Sequence, residues 1–102
     1  MYKICLVCEN GASTGLVVSK MRQAAESKGI SCDINAYPYS QLSNIADSSD
    51  YILLGPQLSF KKNVFIKNFP QIKDKIDVIA PVDFGMMNGE KILTDTLKKM
   101  KK

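Results

Sequence analysis

The chain alternates four times between a short apolar segment and a segment whose apolar residues recur at helical spacing. Parallel strands need a crossover connection, and a helix in that crossover covers one face of the sheet. The alternation is therefore typical of a parallel sheet with helices on both faces. We expect residues 1–102 to form a single three-layer α/β domain, because this length and a hydrophobic content of 45 % suit one such core.

The strand patterns also predict positions within the sheet. Residues 31–37 alternate in polarity, as an edge strand does, whereas 51–54 are apolar throughout and predict a central strand. Right-handed crossovers then favour strand order 2-1-3-4. The elements predicted in chain order are strand 2–7, helix 13–28, strand 31–37 ended by Pro38, short helix 41–46, strand 51–54, helix 60–69, strand 76–80, loop 81–89 and a closing helix through Met100.

Apolar side chains at helical spacing mark the three longer helices. In the first helix they are Leu16, Val17, Met21, Ala24 and Ala25, most of which we expect in the core. The third helix is predicted by Phe60, Val64, Phe65 and Phe69. The inward stripe of the closing helix consists of Ile92, Leu93, Thr96, Leu97 and Met100.

A sheet with this strand order binds ligands beyond the carboxyl ends of its strands, at the point where the order reverses. That point lies between the first and third strands. The loop after Cys8 and the segment 55–57 should therefore meet there, and 81–85 should approach from the fourth strand. We expect the functional residues in this crevice.

Cys8 ends the first strand and precedes a short polar loop and the first helix. Backbone N–H groups in such a loop and in the first helical turn lack intrahelical partners, so they can bind an anion such as phosphate. A helix N-terminus also favours the thiolate form of a nearby cysteine, which is the nucleophilic form. The segment predicts Cys8 as a nucleophile within a phosphate site formed by Glu9, Asn10, Gly11, Ala12, Ser13, Thr14 and Gly15.

The residue types present exclude several other kinds of site. The chain has no histidine, which excludes cysteine–histidine catalysis and most zinc sites, and we expect neither a metal nor a cofactor. The glycine motifs that bind nucleotides are absent. Cys5 and Cys8 would lie about 10 Å apart along a strand, which is too far for a disulfide. We expect Cys5 and Cys32 to be buried thiols within strands.

The net charge of +4 has its source in the basic tail 98–102. Four lysines lie there, and ten basic and ten acidic residues remain in the rest of the chain. We favour a solvated tail over a nucleic-acid contact, because no basic stripe with interleaved aromatic residues occurs. No segment has the roughly 18 apolar residues of a membrane span or the layout of a signal peptide, so we expect a cytoplasmic protein.

Low-molecular-weight protein tyrosine phosphatases and related arsenate reductases also place a cysteine after the first strand, in the motif C-x5-R. Thr14 occupies the position of that arginine here. Without the guanidinium, the charge of the transition state is poorly neutralised and hydrolysis should be weak. We therefore expect a phosphatase-like P-loop after the first strand whose phosphocysteine suits a phosphoryl carrier.

Residues 8–21, together with 53–57, resemble the IIB component of the bacterial phosphoenolpyruvate-dependent sugar phosphotransferase system, in its lactose, cellobiose and chitobiose branch. The resemblance in length and element order extends over essentially the whole chain. It implies that Cys8 accepts phosphate from a phosphohistidine of the IIA component. It further implies that Cys8 donates this phosphate to a disaccharide carried by the membrane-embedded IIC component.

The resemblance also assigns roles to the loop residues. The amides from Asn10 to Gly15, with the hydroxyls of Ser13 and Thr14, are the implied phosphate ligands. Glu9 departs from the small residue that is frequent at its position. A carboxylate close to a phosphate would repel it, so we expect the Glu9 side chain to point into solvent.

Two residues outside the loop are further candidates, and two alternative functions stay open. Gln57 is a candidate contact to the loop or to a partner. We expect Asp83 to be a solvated loop aspartate rather than a general acid, with a partner contact as its alternative role.

A degenerate phosphatase or arsenate reductase using the same thiolate is one alternative function. A non-catalytic docking domain is the other. We expect the isolated chain to be a monomer that reaches the membrane through IIC.

Overall fold

The computed structural model describes residues 1–9 and 14–100. The strands are β1 (Tyr2–Cys8), β2 (Cys32–Pro38), β3 (Tyr51–Leu54) and β4 (Ile76–Val78). The helices are α1 (Thr14–Lys28), α2 (Leu42–Ile45), α3 (Lys62–Asn68), α4 (Pro81–Gly85) and α5 (Gly89–Met100). Turns of 3-10 helix cover Tyr39–Gln41, Pro56–Lys61 and Pro70–Lys75.

All strand pairs in the sheet are parallel, and the strand order is β2-β1-β3-β4. The predicted order 2-1-3-4 is thus confirmed, with β2 at an edge and β3 inside the sheet. In the pairing of β1 with β3, Val7 lies opposite Leu54. In the pairing of β1 with β2, Cys8 lies opposite Pro38. β1 is therefore flanked on both sides up to the point where the predicted phosphate loop begins.

The two faces of the sheet carry separate apolar clusters, because successive strand side chains point to opposite faces. On one face, Ile4 and Leu6 of β1 pack with buried residues of α1 and α5. On the other face, Cys5 and Val7 pack with buried residues of α2 and α3. The three-layer architecture is confirmed, with α1 and α5 sharing the face to which the even-numbered residues of β1 point.

Several element boundaries differ from the sequence predictions. Residues 56–61 form a 3-10 turn, so α3 begins at Lys62, and Phe60 is 72 % exposed. Leu16 is 59 % exposed, because the buried stripe of α1 passes through Val18 instead. The predicted loop 81–89 was wrong over its first half, where Pro81 starts α4 at a position that suits proline. Pro38 is itself the last residue of β2. A proline is tolerated there because β2 is an edge strand.

Helices α1 and α5 approach closely at Gly89, the first residue of α5. A Cβ atom on Gly89 would lie 2.5 Å from the carbonyl carbon of Lys20 and from the backbone nitrogen of Met21. Its backbone has no positive φ, so the requirement for glycine is one of space. Real Cβ atoms do not come so near to backbone, so any side chain here would separate the two helices. This contact holds α1 in place above the sheet.

We predict that Gly89→Ala lowers the free energy of unfolding by at least about 2 kcal/mol, since overpacking of a close contact forces backbone to move. Urea denaturation measures the change. Gly85→Ala is the matched control, because a Cβ there would meet no atom of the described residues within 4 Å. Equal stability of the two variants would contradict the proposed close packing of α1 on α5.

Candidate active site

The carboxyl ends of three strands meet at one edge of the sheet. The backbone N–H of Gly55 donates a hydrogen bond to the carbonyl of Val7 at 2.9 Å, so the ladder between β1 and β3 continues past the end of β3. The N–H of Ile79 donates to the carbonyl of Leu54, also at 2.9 Å. The segments that follow β1, β3 and β4 therefore start side by side, as the switch-point argument requires.

Cys8 is the last residue of β1 and is 1 % exposed. It continues the alternation of Ile4 and Leu6, so its side chain is directed to the face covered by α1 and α5. It is not a member of either apolar cluster in the described part of the chain. Glu9, which follows, is exposed. The burial of Cys8 protects its thiol from bulk water at a position where the sheet ends.

The amino end of α1 lies over this face. Thr14, its first residue, is 0 % exposed, and its Oγ1 atom has no hydrogen-bond partner among residues 1–9 and 14–100. A buried hydroxyl without a hydrogen-bond partner costs about 1–3 kcal/mol of stability. Such a group in a native protein usually indicates a functional role or a bound water or ion. Gly15 beside it is exposed. The predicted ligands Asn10, Gly11, Ala12 and Ser13, and with them the phosphatase-like P-loop, lie outside the described residues.

The other two cysteines have different surroundings. Cys5 points to the opposite face from Cys8 and accepts a hydrogen bond from Ser49 Oγ at 3.0 Å. Burial raises the pKa of the Cys5 thiol and also that of Cys32, which lies in β2. Both therefore stay protonated at neutral pH. All three cysteines are free thiols.

The expectation that Asp83 is a solvated loop residue was wrong. Asp83 lies in α4, is 7 % exposed, and accepts a hydrogen bond from Lys91 Nζ at 3.0 Å. Lys91 also donates to Asp95 at 2.9 Å, and the pKa of Lys91 is raised by Asp95 and Asp83. Because α4 packs against α5, the carboxylate is buried and compensated by the ammonium group. Sequence reasoning missed Lys91, although its spacing of four residues from Asp95 is a recognisable helical ion pair.

Gln57 lies in the 3-10 turn that follows β3, and its side chain folds back over Gly55. A Cβ atom on Gly55 would lie 2.9 Å from Gln57 Oε1 and 3.2 Å from Gln57 Cδ. Sequence reasoning placed 55–57 at this edge of the sheet but did not predict the contact between Gln57 and Gly55.

The only arginine of the chain is held away from this edge. Arg22 lies in the middle of α1, where its Nε donates to the carbonyl of Ile34 at 2.8 Å and its Nη2 to Asn35 Oδ1 at 2.7 Å. Eight residues of helix separate Arg22 from Thr14, which is about 12 Å along the axis. The guanidinium fixes α1 to β2 and takes no part in the candidate site.

Comparison with known proteins supports the resemblance found in the sequence. The family model of the lactose/cellobiose-specific IIB subunit of the PTS system matches residues 3–95. The chain belongs to this family. It is therefore a IIB phosphotransferase of the sugar phosphotransferase system, a class that works with IIA and IIC components.

Relatives of this IIB chain differ in the sugar for which they are named. The oligo-beta-mannoside-specific EIIB component of Bacillus subtilis is 35 % identical over 100 residues, covering 98 % of this chain and 97 % of the relative. The galactose-specific EIIB component of Lactococcus lactis subsp. cremoris is 38 % identical over 95 residues, covering 88 % of each. The solution structure of the cellobiose-specific IIB component from Borrelia burgdorferi has a TM-score of 0.80 at 34 % identity, with 98 % and 92 % of the two chains covered.

The described part of the IIB chain also contains no helix with the length and apolar character that crossing a membrane requires.

We predict that Thr14→Val raises the free energy of unfolding of the IIB chain by about 1 kcal/mol, because the change removes a buried hydroxyl and keeps its shape. Thr96→Val is the matched control. Thr96 is 2 % exposed, but its Oγ1 donates to the carbonyl of Ile92 at 2.8 Å, so its loss should lower stability by about 1 kcal/mol. Urea denaturation of both variants tests the contrast, and a destabilised Thr14→Val protein would refute it.

Proposed function

We propose that this IIB component carries a phosphoryl group on the sulfur of Cys8. It receives the group from a phosphohistidine of its IIA partner and passes it to a disaccharide bound by its IIC partner. The observation that carries this proposal is that Cys8 ends β1 on the sheet face covered by α1, whose first residue, Thr14, has a buried hydroxyl without a hydrogen-bond partner among the described residues. An anion held at this point would accept a hydrogen bond from that hydroxyl and from the free N–H groups of the first helical turn.

The proposed reaction consists of two displacements at phosphorus. In the first, a lone pair of the Cys8 thiolate forms the S–P bond while the N–P bond of the phosphohistidine breaks, and its electron pair returns to the imidazole. In the second, a sugar hydroxyl oxygen forms the O–P bond, the S–P electrons return to the thiolate, and the hydroxyl proton leaves to a base or to water. Positioning and electrostatic stabilisation are the main contributions that a protein makes to such steps.

The contacts of Arg22 and Asp83 favour transfer over hydrolysis. A phosphatase of this layout needs a guanidinium at the phosphate and a general acid for the leaving group. Arg22 donates hydrogen bonds to residues of β2, and the carboxylate of Asp83 forms an ion pair with Lys91. A phosphoryl group on Cys8 would therefore meet neutral donors, which hold it without assisting the attack of water.

The proposal extends to the surroundings in which the chain works. The relatives are named for oligo-beta-mannoside, galactose and cellobiose at similar identity, so a sugar of the cellobiose, chitobiose or lactose type fits the family without a choice among them. The chain would act in the cytoplasm as a monomer and would approach the membrane when it meets IIC. Its phosphoryl ligands would be provided by residues Glu9–Gly15.

We predict that Cys8→Ser abolishes phosphate acceptance and leaves the fold intact, since a serine hydroxyl is far less nucleophilic than a thiolate. The assay incubates the purified chain with phosphoenolpyruvate, the general relay proteins and the IIA component of the same organism. Intact-mass spectrometry then reports the phosphorylated fraction. Cys32→Ser is the matched control and should accept phosphate as the unaltered chain does.

Retained labelling of the Cys8→Ser protein would contradict the proposal. Steady release of phosphate from an aryl phosphate by the isolated chain would instead favour the phosphatase alternative. We expect no such turnover, because the only arginine is engaged elsewhere.

A further inference from the structure

Gly55 lies next to Cys8 across the sheet. Val7 is opposite Leu54, and the hydrogen bond from the Gly55 N–H to the Val7 carbonyl extends this register by one residue. Neighbouring strands are about 4.8 Å apart, so the backbone of Gly55 lies roughly that far from the backbone of Cys8. Gly55 also follows Tyr51 and Leu53 in alternation, which pack on the face of α1 and α5. Cys8 and Gly55 therefore face the same side of the sheet.

The amide of Gln57 occupies the space that a side chain of Gly55 would fill. An ideal Cβ atom on Gly55 would lie 2.9 Å from Oε1, 3.2 Å from Cδ and 3.5 Å from Nε2 of Gln57. All three distances are to the amide end of the side chain, so the group lies directly above Gly55. Gly55 is the cross-strand neighbour of Cys8, so the amide lies over the residue next to Cys8, on the face to which the Cys8 side chain is directed.

The backbone of the segment Gly55–Gln57 allows the Gln57 amide to lie over Gly55. The backbone of Gly55 has φ −60° and ψ 151°, which any residue can adopt, so glycine is needed for space alone. Pro56 starts the 3-10 turn at a position that suits proline, and Leu58 N–H donates to the Gly55 carbonyl at 2.9 Å. The tight turn reverses the chain, and the side chain of Gln57 can then reach back to the end of the sheet.

We propose that the side-chain amide of Gln57 is a ligand of the phosphoryl group on Cys8. This inference rests on the proposed function. An oxygen of a phosphoryl group on the sulfur would lie between the two side chains, within reach of a hydrogen bond of about 2.9 Å from Nε2. Gln57 is exposed as a residue, and its amide makes no side-chain hydrogen bond within residues 1–9 and 14–100. Its donor is therefore available to a ligand.

A neutral amide suits the task of a carrier. It donates one hydrogen bond to the dianion and carries no charge, so it holds the group without the strong neutralisation that an arginine would give. It also has no proton to deliver to a leaving group at neutral pH. Thr14 from α1 and Gln57 from the turn after β3 would then contact the phosphoryl group from two elements.

The first test needs no variant and uses the side-chain amide of Gln57 as its own probe. The ¹⁵N-labelled chain is phosphorylated through the relay proteins and then separated from IIA. A ligand role predicts that the Gln57 side-chain N–H signals move and exchange more slowly with water in the phosphorylated chain alone. Unchanged signals in a chain that mass spectrometry shows to be phosphorylated on Cys8 would overturn the inference and leave the proposed function standing.

The second test uses four variants in the phosphate-acceptance assay. Gln57→Glu keeps the shape and replaces the donor with a carboxylate, and we expect phosphorylation at least about tenfold slower, since a hydrogen bond to a charged group is lost and repulsion is added. Gln57→Ala should be slowed about tenfold. Gly55→Ala should behave like Gln57→Ala, because its Cβ displaces the amide from its place beside Cys8. Gln23→Glu on the exposed surface of α1 is the matched charge control and should keep the original rate.

The double variant of Gly55→Ala and Gln57→Ala separates this role from a structural one. If both changes act by removing the same amide, the double variant is no slower than Gln57→Ala alone. Additive slowing, or a rate for Gln57→Glu equal to that for Gln23→Glu, would overturn the inference. Failure of the unaltered chain to accept phosphate on Cys8 would instead overturn both proposals, so the two failures are distinguishable.

Discussion

The hydrogen bond between the Gly55 N–H and the Val7 carbonyl is the interaction on which the candidate site depends. It continues the β1–β3 ladder to the last position before Cys8 and so fixes which residue lies beside the cysteine. The same alternation that buries Ile4 and Leu6 under α1 and α5 directs Cys8 to that face. A shift of the register by one residue would move Cys8 to the face of α2 and α3, away from the amino end of α1.

The site that we propose combines backbone and neutral side-chain donors with a thiol, whereas Arg22 and Lys91 are engaged in other contacts. Arg22 joins α1 to β2, and Lys91 of α5 donates hydrogen bonds to Asp83 of α4 and to Asp95 of α5. These charged side chains therefore stabilise the fold and take no part in the phosphoryl transfer that we propose. The buried hydroxyl of Thr14, which has no partner among the described residues, costs stability that a bound anion would restore.

Whether a sequence prediction was correct depended on the kind of information that it required. The strand order and the layers were predicted correctly, because hydrophobic periodicity and the handedness of crossovers are properties of the chain itself. The burial of individual side chains was predicted less accurately. Leu16 and Phe60 are exposed, because the direction of a helix face depends on where the helix starts and on what it packs against.

The amino-acid sequence alone determined the class of fold, the edge of the sheet at which we place the candidate site, the family, and Cys8 as the candidate nucleophile. These conclusions depend on residue types and their spacing, which are local. Only the tertiary structure decided that Asp83 is buried against Lys91, that Arg22 is bonded to β2, and that the amide of Gln57 folds over Gly55. Each of these depends on contacts between elements distant along the chain, where packing geometry and charge compensation, rather than local pattern, decide the arrangement.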